Sequence, residues 1–403
     1  MRSESAEFRL LRLCSRTSQS PDVREQVRGL LASSMDWKTV WAEGEWHGVL
    51  PLVHRSIEGV GPGLVPAPFL ERLRERLELV ARWNLSRTAE LIELCRSLEA
   101  RGVEALPFKG AVLAHSLYPS PVLREFSDLD ILVRPEDLPT AQETLRSRGY
   151  LPHFELTEGQ DRAFRWGRYA YPFSRPADRM ACDLHWRFAP SRLASGVRVT
   201  DLWSLTEPVS IGGAELRQFS PEATLLVLCV HGAKHGPVPW SRLKWLCDVV
   251  ELLGSRPDFD PRSALDLATH HGCRRVVLLG LMLARDLLDA RLPPLLERAL
   301  ESETSIPGLA APVEAGLRER PAPRWDGSVK LRWELQLRER PRDRLQILVR
   351  SALVPKRRDR DLKPLPGRLA FLYFPMRLGR LALKRLSGKG RDTSTRPRNR
   401  GRA

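Results

Sequence analysis

Apolar residues recur at helical spacing towards both ends of the chain, and a different pattern lies between these stretches. Residues 1–60 carry short helical runs, and residues 71–100 place leucine and valine mostly three or four positions apart. Gly102 just after this run is typical of a helix end. Ser220 and Pro221 mark a helix start. Further helices are predicted at 223–235, 241–254, 261–272, 274–290 and 293–304.

The middle of the chain alternates short apolar strands with short helices. The pattern predicts strands at 103–108, 129–133, 150–156, 180–186 and 215–219 and helices at 110–118 and 135–148. Strand, helix, strand and helix within about fifty residues indicate a small α/β unit. Beyond Ile306 the content of proline and arginine rises, and we expect intermittent structure.

These patterns predict an α/β (α+β) fold in which a small mixed sheet is flanked by helices on both sides. The predicted parts are an N-terminal helical region, the α/β core, a helical domain, an irregular or helical region and a basic disordered tail. Their boundaries are 1–100, 101–219, 220–310, 311–386 and 387–403.

Composition is that of a globular protein, with 42% apolar and 28% charged residues. The net charge of +16 is concentrated at the C-terminus, because residues 376–403 supply +9 and the other 375 residues only +7. Six scattered cysteines without metal-binding spacing are typical of reduced thiols. No apolar run is long enough to span a bilayer, and the N-terminus lacks the apolar core of a signal peptide. We therefore expect a cytoplasmic protein.

Two carboxylates stand two positions apart at the start of an apolar strand, in the run Ser127-Asp-Leu-Asp-Ile-Leu-Val133. In a strand, Asp128 and Asp130 share a face with their Cα atoms roughly 6.5–7 Å apart, so both side chains can hold hard divalent cations. Burial of an unpaired carboxylate costs free energy, so the pair requires a counter-ion. A metal held by carboxylates indicates phosphoryl or nucleotidyl transfer.

Other motifs join this pair. Lys109-Gly110 separates a strand from a helix, Arg124 precedes the acidic strand, and Asp183 lies on a later strand within Asp-Leu-His-Trp. With His-Gly-Ala-Lys-His at 231–235 and Arg-Leu-Lys-Trp-Leu-Cys-Asp-Val at 242–249, the set resembles the polymerase-beta-like nucleotidyltransferase superfamily. It is especially similar to a branch known as an uncharacterised nucleotidyltransferase family, over roughly residues 80–255.

The resemblance implies a nucleotidyltransferase core that uses Mg²⁺, with two ions expected. It implies that Asp128 and Asp130 bind the metals, and that Asp183 adds a ligand or helps to deprotonate the acceptor hydroxyl. The nucleotide-binding residues that it implies are Lys109, Gly110, Arg124, Ser127, Lys234 and His235. Superfamily members typically carry Gly-Ser at the turn before the first helix, whereas this chain has Lys109-Gly110 followed by Ala111.

Each candidate also has a purely structural interpretation. Asp128 and Asp130 can form an exposed face paired with arginines such as Arg124, Asp183 can be a salt-bridge partner, and Lys109 can be solvated. His231 and His235 share a helix face as zinc ligands can, but the segment has no glutamate after the first histidine and no obvious third ligand. A helix facing the cleft or a packing role is favoured instead. For the segment 240–248, burial of Trp245 and Leu246 is favoured over phosphate binding.

The predicted function is transfer of a nucleoside monophosphate from an NTP to an acceptor hydroxyl, with Mg²⁺ and release of pyrophosphate. The acceptor is not indicated. The alternative is a catalytically silent nucleotide- or RNA-binding protein on the same fold. Within residues 369–386, an apolar run at 369–374 is followed at 376–386 by alternating cationic and apolar side chains, which either bind an anionic membrane surface or pack on the body, and packing is favoured. The basic tail is first a solvated tail, with nucleic-acid or lipid contact as the alternative.

Overall fold

The computed structural model describes residues 4–187, 199–234, 238–319 and 325–353, with isolated positions at 197, 372, 374–377 and 379. The chain forms two compact units. One contains Met1–His153 and Tyr169–Arg344, and the other contains Phe154–Arg168 and Leu345–Ala403. The predicted disordered tail at 387–403 and most of the amphipathic segment at 369–386 lie outside the described residues.

Five helices precede the first strand, as the apolar spacing predicts. They are α1 (Ala6–Cys14), α2 (Pro21–Leu31), α3 (Trp37–His47), α4 (Leu50–Val60) and α5 (Ala67–Glu99). The side chains of Ser5, Ser20 and Asp36 accept hydrogen bonds from backbone N–H groups in the first turns of α1, α2 and α3. The 33-residue α5 runs from this helical region to the start of the sheet.

The central sheet has five strands in the order β1-β2-β5-β4-β3. The strands are β1 (Leu106–Pro107), β2 (Leu129–Leu132), β3 (Leu151–Pro152), β4 (Ala170–Arg175) and β5 (Met180–His185). Strands β2 and β5 are parallel, and the other neighbours are antiparallel. The sheet is therefore mixed, which confirms the predicted α+β class.

Four helices and a hairpin complete this part of the chain. The elements are α6 (Gly110–Ser116), α7 (Leu138–Ser147), α8 (Glu158–Gly167), α9 (Val199–Trp203), β6 (Thr206–Ile211) and β7 (Ala214–Phe219). Gly212 and Gly213, with φ of +58° and +78°, form the two-residue turn of the β6–β7 hairpin, where glycine is favoured. The sequence pattern misses β4 because Pro172 interrupts it, and it misses β6, whose exposed positions leave no apolar alternation.

Eight helices follow the hairpin in the described residues. They are α10 (Pro221–Lys234), α11 (Leu243–Ser255), α12 (Pro261–His270), α13 (Arg274–Leu288), α14 (Pro294–Ser302), α15 (Ile306–Arg318), α16 (Gly327–Gln336) and α17 (Pro341–Leu353). The last three are more regular than the sequence predicts. Pro307 and Pro341 lie in the first turns of their helices, where proline is tolerated, so these prolines start helices rather than break them.

The apolar core is continuous from the N-terminal helices to α16. Helices α10 and α13 run through its centre, since most of their residues are buried. Trp240 is fully buried against Gly232 of α10, where an added Cβ would overlap its indole ring. All six cysteines are buried as free thiols. Within the described part of the chain, no helix has both the length and the apolarity needed to cross a membrane.

Candidate active site

Two parallel strands bring the predicted carboxylates together. In the register of β2 and β5, Asp130 lies directly beside Asp183, and Leu132 lies beside His185. Because alternate residues of a strand face the same side, Asp183 and His185 share the face that Asp130 presents. Asp128 comes one residue before β2. Asp128, Asp130, Asp183 and His185 all line one cavity of about 180 Å³.

Asp130 is the most enclosed of the three carboxylates, with 7% of the residue exposed. Its Oδ1 atom accepts a hydrogen bond from Lys109 Nζ at 2.6 Å and lies 2.8 Å from His185 Nε2. The other ring nitrogen of His185, Nδ1, lies 3.1 Å from the Arg187 carbonyl oxygen. Burial raises the pKa of Asp130, but the charge of Lys109 and the hydrogen bond to His185 outweigh it and hold this pKa well below its usual range.

The pKa values of the other two carboxylates, Asp128 and Asp183, are instead raised. Burial, followed by the negative charges of Asp130 and Asp128, raises the pKa of Asp183 to about 7. Burial and the charge of Asp130 also raise the pKa of Asp128. The ligand atoms of Asp130, Asp183 and His185 lie within 4.8 Å of one another. Carboxylate oxygens are the preferred ligands of hard divalent cations, and a cation would offset the repulsion in this cluster. The donor set therefore fits a divalent metal ion.

Basic side chains surround the carboxylates. Lys234 from the end of α10 and Lys244 from the start of α11 line the cavity together with Arg242. Lys234 is buried, with its Nζ 4.1 Å from the centre of the Tyr169 ring. Burial lowers the pKa of Lys234 and of Lys244. The cavity thus places a carboxylate cluster beside several basic side chains, a combination that suits a phosphorylated ligand bound through a metal.

Arg124 is held by a buried carboxylate of the helical region. Its Nε and Nη2 atoms donate to the two carboxylate oxygens of Asp248 at 2.7 and 2.8 Å. Tyr118 donates its hydroxyl to Asp248 at 2.9 Å, and Arg124 Nη1 donates to the Gly110 carbonyl at 3.1 Å. This network ties the Lys109-Gly110 turn to α11.

Gly110 occupies a position that strongly favours glycine. Its φ is +46°, and a Cβ at this position would lie 3.2 Å from the Asp128 carbonyl oxygen. The Lys109-Gly110 turn can therefore pass closely beside the start of β2, which places the Lys109 side chain against Asp130.

Residues 33–289, more than half of the chain, match a family described as uncharacterised nucleotidyltransferase. The chain belongs to this family. Among solved structures, the chain is similar to an antigenic nucleotidyltransferase-like protein from Paracoccidioides brasiliensis, with 16% identity and a TM-score of 0.32. That match covers 54% of this chain and 92% of the other chain. No curated protein matches the chain significantly.

Nearly all of the predicted site residues line the cavity. Those that line it are Lys109, Gly110, Arg124, Ser127, Asp128, Asp130, Asp183 and Lys234. His235 lies outside the described residues. Ser127 is exposed and places its Oγ atom 3.3 Å from Asp128 Oδ1. The functional roles assigned to these residues stay predictions.

The structure also bears on the purely structural interpretations of these residues. Asp130 is buried against Lys109, so Asp130 is not part of an exposed face and Lys109 is not solvated. The carboxylate partner of Arg124 is Asp248, not Asp128 or Asp130. His231 lines the cavity with its ring edge-on to Trp245, at a centroid distance of 5.6 Å. Trp245 is half-buried against the apolar core and also lines the cavity, and Leu246 is fully buried.

Sequence reasoning misses three important residues of the site. His185 could have been found, because it follows Asp183 by two positions in a strand and must share its face. Asp248 has no local signal for its role, because the spacing of four residues points to Lys244 whereas its ion-pair partner is Arg124. Tyr169 has no local signal, since it reaches the cavity from the residue before β4.

Proposed function

We propose that this protein transfers a nucleoside monophosphate from an NTP to an acceptor hydroxyl and releases pyrophosphate. One observation carries the proposal. Asp130 and Asp183 are direct neighbours on parallel strands, and with Asp128 they line one cavity bordered by cations. In such a transfer the acceptor oxygen bonds to the α-phosphorus, and the bond from this phosphorus to the bridging oxygen breaks.

Asp128, Asp130 and Asp183 would hold Mg²⁺, with two ions expected. Bound Mg²⁺ supplies neutralising charge to the phosphate oxygens and orients them for in-line displacement. In the proposal, Asp130 is the ligand that stays ionised, because Lys109 and His185 keep its pKa low. Its Oδ2 atom is the oxygen left for an ion, since Lys109 and His185 both contact Oδ1.

The remaining side chains would bind phosphate and move a proton. Lys234, Lys244 and Arg242 face the same cavity and would neutralise the triphosphate. Asp183, directly beside Asp130 in the same cavity, would complete the ligand set or accept the proton of the acceptor hydroxyl. Arg124 would act indirectly by holding the turn that carries Lys109.

The test is incubation of the protein with each α-³²P-labelled NTP, Mg²⁺ and a panel of acceptor hydroxyls, followed by detection of labelled product. We expect Asp128→Asn, Asp130→Asn and Asp183→Asn each to lower transfer by at least about 100-fold, because each removes a charged ligand. Asp266→Asn, which changes an exposed carboxylate on α12, is the matched control and should retain wild-type transfer. Wild-type rates in all three site variants, with unfolding temperatures unchanged, would refute the assignment.

A second candidate function is binding without turnover, and the contact between Lys109 and Asp130 favours it. An ammonium group 2.6 Å from the central carboxylate can take the place of a metal ion. Lys109→Met separates the two functions when Mn²⁺ and NTP binding are measured by calorimetry. If Lys109 replaces the metal, wild type binds NTP without a divalent ion and the variant gains Mn²⁺ affinity. If the protein is a transferase, wild-type NTP binding requires the divalent ion.

A further inference from the structure

One face of α5 carries an uninterrupted row of cationic and apolar side chains. Arg72, Arg76, Leu79, Trp83 and Arg87 follow one another at spacings of four, three, four and four residues, so they share one face. We call this row the α5 stripe. The row spans about 22 Å along the helix axis. Glu71, Glu75 and Glu78 also follow helical spacing, but on a face about 100° away.

The three guanidinium groups of the α5 stripe each lie near the ring of a tryptophan. The guanidinium of Arg72 lies 3.7 Å from the centre of the Trp41 ring. Those of Arg76 and Arg87 lie 5.7 and 5.6 Å from the centre of the Trp83 ring. Trp83 is 45% exposed, which is unusual for so large an apolar side chain. Within the described part of the chain, neither Arg72 nor Arg87 forms an ion pair with a carboxylate.

The α5 stripe reaches the rim of the candidate active site at two points. Arg76 donates to both carboxylate oxygens of Glu125 at 3.1 and 2.8 Å. Arg87 Nε donates to the Ser127 carbonyl oxygen at 3.2 Å. Glu125 and Ser127 both line the cavity, and Asp128 follows directly. Trp83, between these two arginines, therefore lies beside the entrance to the carboxylate cluster.

We propose that the α5 stripe binds a single strand of nucleic acid and presents its 3′-terminal hydroxyl to the site as the acceptor. Exposed rings stack with bases of any sequence, and guanidinium groups without carboxylate partners attract phosphates. An exposed ring next to guanidinium groups thus matches the bases and phosphates of a single strand. The inference rests on the proposed function. The 3′ oxygen bonds to the α-phosphorus of the NTP, pyrophosphate leaves, and the hydroxyl proton passes to Asp183.

The experiment measures fluorescence anisotropy of labelled single strands of roughly 12 nucleotides, in EDTA and without NTP. RNA and DNA strands of one sequence are separate arms, and a duplex of the same length is a third. We expect a single strand to bind wild type, with Trp83→Ala weakening binding by about 10-fold and Trp83→Phe retaining most of it. Arg87→Gln should weaken binding and lower its salt dependence.

Leu85→Ala and Arg82→Gln are matched controls, since both side chains are exposed on α5 but lie off the stripe. They should bind the strand as wild type does. Absence of binding to wild type, equal loss in the controls, or tighter binding of the duplex would overturn the proposal. Failure of the proposed function gives a different result, because strand binding would then still depend on Trp83 while no NTP is transferred. If Trp83→Ala transfers NTP to the strand as well as wild type does, this inference is refuted while the proposed function stands.

Discussion

Arg124 and Asp248 form a buried, two-point ion pair across 124 residues of sequence, with N–O distances of 2.7 and 2.8 Å. The pair joins the α/β core to helix α11, and the same guanidinium supports the Gly110 carbonyl. Arg124 therefore stabilises the position of the turn that carries Lys109, which in turn neutralises Asp130. The carboxylate site therefore depends on the ion pair between Arg124 and Asp248.

Breaking this pair should be costly. Asp248→Asn leaves the Arg124 charge buried without a full counter-charge, so we expect the free energy of unfolding to fall by about 3–5 kcal/mol in urea titrations. Arg96→Gln, which breaks an exposed pair with Glu93 on α5, should cost less than about 0.5 kcal/mol. A similar small cost for Asp248→Asn would show that water screens the Arg124 pair.

Stability should depend on pH through Asp183. Its folded pKa of about 7 lies above the usual value of 3.8, so the folded state binds the proton more tightly. Without metal, the free energy of unfolding should therefore fall as pH rises from about 4 to about 7. Asp183→Asn should remove this loss and gain up to about 4 kcal/mol over wild type at pH 8. Urea unfolding at pH 5 and pH 8 in EDTA tests this, and an identical pH slope in both proteins would contradict it.

His185 should strengthen metal binding through its contact with Asp130. His185→Phe removes the partner of Asp130 Oδ1 while filling the buried space, so we expect Mn²⁺ affinity to fall by about 10-fold or more in calorimetry. His115→Phe changes an exposed histidine on α6 and is the control. Equal Mn²⁺ affinity in wild type and His185→Phe would show that the contact does not prepare the metal site.

The packing of α10 should be sensitive at Gly232. A Cβ there overlaps the Trp240 indole, so Gly232→Ala should lower the free energy of unfolding by about 1–3 kcal/mol. Gly254→Ala, in α11 with open space around it, should instead be neutral or stabilising by up to about 1 kcal/mol. Thermal unfolding compares the two variants. Because Lys234 follows Gly232 by two residues, NTP binding should also weaken in the first variant alone.

Much of the fold could be predicted because it depends on local periodicity. The helical spacing between 71 and 100 corresponds to α5, and the apolar run after Asp128 corresponds to β2. The prediction fails where a strand contains a residue that strands disfavour. Strand β4 contains Pro172, which pairs with Asp183 in an antiparallel ladder. Only the neighbouring strand makes this proline-containing segment a strand, and a local pattern does not contain that neighbour.

The sequence by itself determined that Asp130 lies in an apolar strand and that Asp128 stands two positions before it, because the apolar run after Asp128 is typical of a strand. It also determined that Lys109-Gly110 separates a strand from a helix. Only the tertiary structure decided that Asp130 lies beside Asp183, that Lys109 is the cation on Asp130, and that Arg124 belongs to Asp248. The physical reason is that the strength of an ion pair depends on the distance between its charges and on their burial. Both depend on how strands and helices remote in sequence pack together.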